Sequence, residues 1–492
     1  MPAIPLVGRI LAAALLGLGL AAAFAPYDQW WLLALSVAGL TVICAGIRVR
    51  AAVFVGFVYG LAFTLGLVPW LTVIGPAPWI ALSVLEAVFY ALLGAAIAVV
   101  VGRPGWPVWV ACCWVGAEQL KASIPWGGLP WGRLAFALGD TPLAPYARLG
   151  GVAMLTGVAA LILNLALAAA WRRRLDLICA LLIAPAVGLV IVGWLLPVTS
   201  PGPSTFTVAV VQGNVPGQGV DAFDEPQIVL ENHVNATHAL AASIRAGGLP
   251  RPDLVIWPEN STDIDPFTDH AAAAAISAAV NDVGVPTLVG AVVTAPDGEH
   301  LLNTGIVWNP RTGPGAEYVK RHLVPFGEYI PFRSLLAPHI SALDQIPLDF
   351  TPGSRPGILN VSGTTIGDVF CFEVAYDNLM RDLLNGGARL LVVQTNNATY
   401  LGTSQLAQQW QISKLRAIEF GRTLAVASTD GISGIVGPDG TVLAKSSPDT
   451  QTVLVRSVPL ESGRTPAARF GAWIEWVLSL AGLSAVAASV IS

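Results

Sequence analysis

The sequence predicts an α-helical membrane region, then an α/β layered domain, then one closing apolar helix. Three observations carry this reading. Charged residues make up only 12% of the chain, about half the share of an ordinary soluble domain, and the shortage is concentrated in residues 1–204. Residues 205–460 have ordinary globular composition and hold all six histidines. Within them, short alternating apolar runs are separated by helical stretches, the pattern of strands layered with helices. The expected divisions are therefore 1–204, 205–460 and 461–492, the last with an apolar segment at about 470–490.

A helix needs about 20 apolar residues to cross the hydrocarbon core. Candidate spans are 5–24, 29–47, 52–73, 79–101, 106–120, 150–170, 176–197 and 470–490. The first is followed by further spans, so it reads as a transmembrane helix rather than a cleaved signal. The fifth runs into a Trp/Gly/Pro-rich stretch, 123–134, too broken for a simple helix. Such a stretch is tolerable at membrane depth only where protein or water satisfies its backbone, so an interfacial or re-entrant loop is expected.

Basic residues set the orientation. Arg48, Arg50, Arg103, Arg172, Arg173 and Arg174 fall on one side if the helices alternate, and the opposite loops at 27–31 and 75–79 carry no Lys or Arg. The basic side is cytoplasmic, so the N-terminus is inside. Seven crossings then place 205–460 outside, and the eighth returns the C-terminus to the cytoplasm. Lys121, Arg133 and Arg148 land on the outer side, where a loop folded onto the large domain is expected to hold them. Glu86 and Glu118 lie within spans. A carboxylate in lipid is expensive, so each is either functional or capped inside the bundle.

In the α/β region, strands are expected at 205–215, 254–257, 287–293, 305–308, 365–370 and 390–394, with helices at 226–246, 270–283, 376–386 and 405–421. Gly437-Pro438-Asp439-Gly440 reads as a tight hairpin turn. Three chemically capable residues stand at strand ends: Glu259, Lys320 and Cys371. The C-terminal ends of strands are where α/β folds build sites. A carboxylate, an amine and a thiol suffice for acyl chemistry. The thiol attacks once deprotonated, the carboxylate takes and returns the proton, and the ammonium stabilises a developing oxyanion. Taken singly, each has a bland explanation as a turn, surface or core residue. The other four cysteines, Cys44, Cys112, Cys113 and Cys179, lie inside apolar spans, so Cys371 has no disulfide partner in its domain. His233 and His238 are spaced wrongly for a shared helix face, no HExxH is present, and neither metal nor cofactor is expected. A net charge of −5 gives no support for nucleic-acid binding.

Further residues sharpen the picture. Trp257-Pro258-Glu259, the block from Lys320 through Pro325-Phe326-Gly327-Glu328-Tyr329, Cys371-Phe372-Glu373, Thr395-Asn396-Asn397, Arg416-Ala417-Ile418-Glu419 and Gly437-Pro438-Asp439-Gly440 together resemble the carbon–nitrogen hydrolase (nitrilase) superfamily, and 465–471 resembles the entry into the last helix of its membrane-bound members. With the membrane spans added, the whole chain resembles the apolipoprotein N-acyltransferase family. The resemblance implies a nitrilase-like αββα sandwich on an eight-helix membrane base. It implies Glu259 as general base, Lys320 as oxyanion stabiliser and Cys371 as the acylated nucleophile. Glu328 would support the lysine, Glu373 matches an acid just after the nucleophile, and Asn303 matches an asparagine near the site. Phe372 stands where members often carry Tyr, and Asn397-Ala398-Thr399-Tyr400 replaces an Asp-Ala/Ser-Trp-Phe run beside the site.

The implied activity moves an acyl chain from a phospholipid, through a Cys371 thioester, to the α-amine of a diacylglyceryl-cysteine at a bacterial lipoprotein N-terminus. The implied setting is a multi-pass monomer in the plasma membrane. A membrane-tethered amidase or nitrilase using water as acceptor is the alternative, and a non-catalytic scaffold is a second.

Overall fold

The computed structural model describes residues 4–172, 176–197, 202, 204–216, 226–336 and 347–491, so Arg173 and Arg174 of the expected cytoplasmic set lie outside the described residues. The chain divides into two compact units. One comprises Met1–Val198, Ala407–Phe420 and Arg464–Ser492, and the other Thr199–Leu406 and Gly421–Gly463.

The first unit is helical. Its helices are α1 (Leu6–Ala22), α2 (Trp30–Cys44), α3 (Val49–Leu67), α4 (Pro76–Val100), α5 (Trp106–Lys121), α6 (Tyr146–Arg172) and α7 (Leu177–Leu195). Five helices among the described residues are long and apolar enough to cross a membrane: α3, α4, α6, α7 and the final helix, Pro466–Ile491. The remaining three are shorter, with 17 residues in α1, 15 in α2 and 16 in α5. At about 1.5 Å per residue, 15 residues reach roughly 22 Å, less than a hydrocarbon core of about 30 Å. Five of the expected eight spans are thus helices of spanning length among the described residues, whereas α1, α2 and α5 are too short by themselves. The α3 expectation ran too far because the chain leaves the helix at Val68 and continues as a 3₁₀ turn over Pro69–Val73. A break at Gly150 and Gly151 kinks α6.

The 123–134 stretch is irregular, as its glycines and prolines dictate, and it is followed by a 3₁₀ turn over Leu134–Leu138. Its backbone is satisfied by side chains. Lys121 Nζ donates to Leu129 O at 3.0 Å and Trp131 O at 2.5 Å, and pairs with Glu86 at 3.0 Å. Leu134 N–H and the Thr156 hydroxyl donate to Glu118 at 2.7 and 2.8 Å. Arg133 lies 3.5 Å from Glu118 and 2.8 Å from Glu475. Lys121 and Arg133 therefore find carboxylate partners within the helical unit itself. Opposite charges here replace the water that a buried site lacks. Gln408 adds a further clasp, accepting from the Trp70 and Trp131 indoles at 3.1 and 2.7 Å and donating to Leu67 O.

The second unit is a pair of stacked six-stranded sheets. Its strands are β1 (Ser204–Gln212), β2 (Leu254–Ile256), β3 (Thr287–Thr294), β4 (Leu301–Asn309), β5 (Gly313–Val319), β6 (Gly357–Val361), β7 (Thr364–Phe370), β8 (Leu390–Thr395), β9 (Leu424–Ser428), β10 (Gly434–Val436), β11 (Val442–Lys445) and β12 (Thr452–Leu460). The sheet orders are β12-β1-β2-β3-β4-β5 and β11-β10-β9-β8-β7-β6. β1, β2 and β3 run parallel, as do β7, β8 and β9. The remaining helices are α8 (Pro226–Arg245), α9 (His270–Val283), α10 (Arg333–Leu336), α11 (Asp377–Asn385), α12 (Ser404–Phe420) and α13, the final helix.

Val208, Ile256, Leu288, Tyr318, Ile366, Phe370, Leu390 and Val392 interlock between the sheets. A second apolar layer, with Leu240, Trp257, Ile276 and Val280, joins α8 and α9 to the outer face of the first sheet. Alternate residues of β1 serve the two layers, the period-two consequence of a strand buried on both faces. The 437–440 turn joins antiparallel β10 and β11, with Gly440 at a φ of 85°. Residues 407–420, which composition places within the α/β region, pack instead with the helices.

Candidate active site

β7 and β8 are adjacent in one sheet, the end of β2 in the other sheet is bonded to the end of β8, and each of the three leads into a residue of the site. Glu259 follows β2, Cys371 follows β7 and Asn396 follows β8, while Lys320 directly follows β5. Chain direction therefore delivers these groups to one place from positions up to 137 residues apart.

Lys320 is the hub. Its Nζ sits 2.9 Å from Glu259 Oε1 and 2.9 Å from Glu328 Oε1. Asn303 Nδ2 donates to the same two oxygens at 2.7 and 3.0 Å, which locks the carboxylates against the ammonium. Glu259 Oε2 accepts the Asn396 backbone N–H at 2.9 Å, and Glu328 Oε2 accepts that of Val324 at 2.8 Å. Burial alone would pull the Lys320 pKa down, but Glu259 and Glu328 outweigh it and hold it well above the usual lysine range. The ammonium is fixed as a cation.

Cys371 is buried and lies at a φ of 46°, a left-handed conformation rare for a residue with a Cβ. Such strain is characteristic of a side chain turned sharply out of its strand into a site. Burial first, then the Glu259 charge, pushes its thiol up to about 12, against smaller opposing pulls from Lys320 and the Thr395 hydroxyl. The resting nucleophile is a neutral thiol, so attack requires a base to remove its proton as the bond forms.

Glu373, the acid just after Cys371, is fully occupied by backbone and a phenol. Its carboxylate accepts the Phe370, Arg321 and His322 backbone amides at 2.8, 2.8 and 2.9 Å, and the Tyr318 hydroxyl at 2.8 Å. It ties the Lys320 loop to the turn that carries the nucleophile. His322 packs on Tyr376 with ring centroids 3.8 Å apart, and its Nε2 has no hydrogen-bond partner. Burial, then the Lys320 charge, pulls it down to about 4. It is a neutral packing group rather than a base for Cys371. His233 is likewise committed to backbone, at Val229 O and Gly213 N.

The structure thus brings together Glu259, Lys320, Cys371, Glu328 and Asn303, and it adds Thr395 and the Asn396 amide. Both belong to the Thr395-Asn396-Asn397 run noted in the sequence, although a motif alone does not show that Asn396 contributes through its backbone amide. Gly290 is also part of the frame. A Cβ built there would stand 2.2 Å from Pro258 O and 2.8 Å from Glu259 Cα. We expect Gly290→Ala to displace Glu259. Misplacement of a catalytic group by about 1 Å lowers turnover about 100-fold, with a stability loss of about 1–3 kcal/mol from overpacking. Activity and thermal unfolding measured on the purified variant check this; unchanged turnover would detach β3 from the site.

Residues 16–166 match the family described as Apolipoprotein N-acyltransferase N-terminal domain, and residues 207–467 match Carbon-nitrogen hydrolase. The chain is 36% identical to an apolipoprotein N-acyltransferase of Mycolicibacterium smegmatis, covering 96% of this chain and 84% of that one. It is 32% identical to the Ralstonia nicotianae apolipoprotein N-acyltransferase, covering 93% and 89%. Among solved structures, an amidase of the nitrilase superfamily from Nesterenkonia AN1 is 21% identical with a TM-score of 0.39, covering 56% of this chain and 95% of that one.

Proposed function

Because the chain belongs to the apolipoprotein N-acyltransferase family, we propose that its Glu259–Lys320–Cys371 site carries out the acyl transfer in two steps. The chain is an acyltransferase whose α/β unit is nitrilase-like. The observation that carries the residue assignment is the single buried cluster in which Lys320 holds Glu259 and Glu328 at 2.9 Å beside a strained Cys371.

In the first step, the Cys371 sulfur attacks the ester carbonyl of a phospholipid while Glu259 takes the thiol proton. Lys320 has three N–H donors, and two are engaged by the carboxylates. The third faces the developing oxyanion. Collapse breaks the ester C–O bond, the proton passes from Glu259 to the departing glyceryl oxygen, and a lysophospholipid leaves. In the second step, the α-amine of a diacylglyceryl-cysteine attacks the thioester, the amine proton moves to Glu259, and the thiol reforms. Both substrates are lipids, which accounts for a nitrilase-like domain joined to long apolar helices. The family match favours transfer over hydrolysis by a membrane amidase.

The discriminating experiment uses lipoproteins from a strain that lacks the enzyme. Their N-terminal cysteine should carry two acyl chains, and a third should return when this chain is expressed. Free fatty acid released with no third chain on the peptide would establish the amidase instead.

The orientation that fits lipid substrates of the outer leaflet puts the α/β unit outside the cytoplasm, with Arg48, Arg50 and Arg172 inside. A reporter active only outside should work when fused within 205–460 and fail at 48–50. The reverse pattern would overturn both the orientation and the lipoprotein acceptor. The proposed working state is a monomer.

A further inference from the structure

The middle of the αββα sandwich contains an acid that the proposed chemistry does not use. Asp368 lies on β7 between Ile366 and Phe370, which both enter the layer between the sheets. It is fully buried, and beyond a weak approach of the Val369 backbone amide neither Oδ1 nor Oδ2 has a hydrogen-bond partner. Gln394, on β8, is equally buried. Its Nε2 donates to Trp257 O at 2.7 Å, and its Oε1 has no donor. Gly305 on β4 makes room for both. A Cβ there would stand 2.6 Å from Asp368 Oδ2 and 2.6 Å from Gln394 Oε1, so the two oxygens are at most 2 × 2.6 = 5.2 Å apart.

Two acceptors facing each other in a dry core repel, and an unpaired buried charge costs several kcal/mol. A carboxylic acid removes both penalties, because its O–H supplies the donor that the amide oxygen lacks. The charged neighbours agree. Burial first, then the Glu373 and Glu259 carboxylates, push the Asp368 acid well above the usual range, against a smaller pull from the Val369 amide.

We propose that Asp368 is a positioning residue for Glu259: its carboxylic acid donates to Gln394 Oε1, aligning Gln394 Nε2 on Trp257 O and so fixing the Trp257-Pro258-Glu259 segment. The strut spans the two sheets, and its ends lie close in sequence to functional groups. Asp368 precedes Cys371 by three residues, and Gln394 precedes Asn396, whose amide holds Glu259. The inference rests on the assignment of Glu259 as base.

The test compares Asp368→Asn and Asp368→Ala in the full-length purified enzyme, reading the rate at which phospholipid acylates Cys371. The Asn amide keeps a neutral donor. It should stay within about threefold of wild type, while Ala slows acylation about tenfold at unchanged KM for phospholipid, the signature of a displaced base. Infrared difference spectra between wild type and Asp368→Asn should show a buried protonated carboxyl that the variant lacks. Equal slowing in both variants would mean that Asp368 acts as a charge and would overturn the proposal, as would wild-type rates in Ala or absence of the carboxyl band. Should the Ala variant not fold, the Asn rate and the band decide. Wild-type acylation in Glu259→Gln would remove the base assignment, while the band would still report on the strut.

Discussion

Cys371→Ala should form no acyl-enzyme and should lose transfer by more than about 10⁴-fold, because no other residue can replace the atom that bonds to the acyl group. Wild-type enzyme given phospholipid alone should accumulate one acyl chain on Cys371, visible by intact mass. A diacylglyceryl-cysteine peptide should then discharge it, with ping-pong kinetics. Accumulation requires the thioester to outlast exposure to water, and Cys371 is only 5% exposed. The thiol's own acidity gives a second check. An acid pushed up to about 12 stays protonated through neutral pH, so alkylation of Cys371 by a neutral reagent should keep rising with pH and show no neutral plateau. Normal transfer by Cys371→Ala would end the covalent route. A low-pH plateau would mean that the resting group is a thiolate and that Glu259 has no proton to take.

Lys320→Arg should lower acylation by about 10²–10³-fold, the usual effect of losing one oxyanion donor, although the charge is kept. Lys320 is 2% exposed and its Nζ meets Glu259, Glu328 and no bulk solvent. A planar guanidinium is larger and directs its donors in a fixed fork, so it cannot keep both carboxylate contacts and still face the reacting carbonyl. Binding of phospholipid should change little, so the loss should fall on kcat rather than KM. A variant with wild-type kcat would show that the ammonium serves only to pair the two glutamates.

Glu259 and Cys371 were legible because each ends an apolar run whose burial is written in its own residues, while Lys320 was marked by the motif that runs from it to Tyr329. Other parts carried weaker marks. β5 is largely exposed, so Gly313–Val319 shows little alternation despite leading into Lys320. β12 pairs antiparallel with β1 from the far end of the domain, a relation that no local pattern encodes. The Asn396 contact with Glu259 is a backbone amide, and every residue except proline has one. Residues 407–420 read as helix correctly, but their polar glutamines hid the unit they serve, since Gln408 meets indoles and a helix carbonyl rather than water. Glu86 and Glu118 were recognisable as costly in lipid. Their partners Lys121 and Arg133 were visible only as exceptions to the charge rule, because the rule counts loops and these cations are buried.

The Arg133–Glu475 ion pair also sets a timetable for synthesis. Its two members are 342 residues apart, with the whole α/β unit made between them. At about 5–20 residues per second, that interval is 342/20 to 342/5, or roughly 17–70 s. Throughout it the chain contains Arg133 but not yet the last helix. Glu118, only 15 residues earlier in the chain and 3.5 Å away in the finished fold, is already present to receive the cation. The Arg133–Glu475 pair therefore cannot form until α13 is made, so the closing of the helical unit around this charge is a late event in the life of the chain.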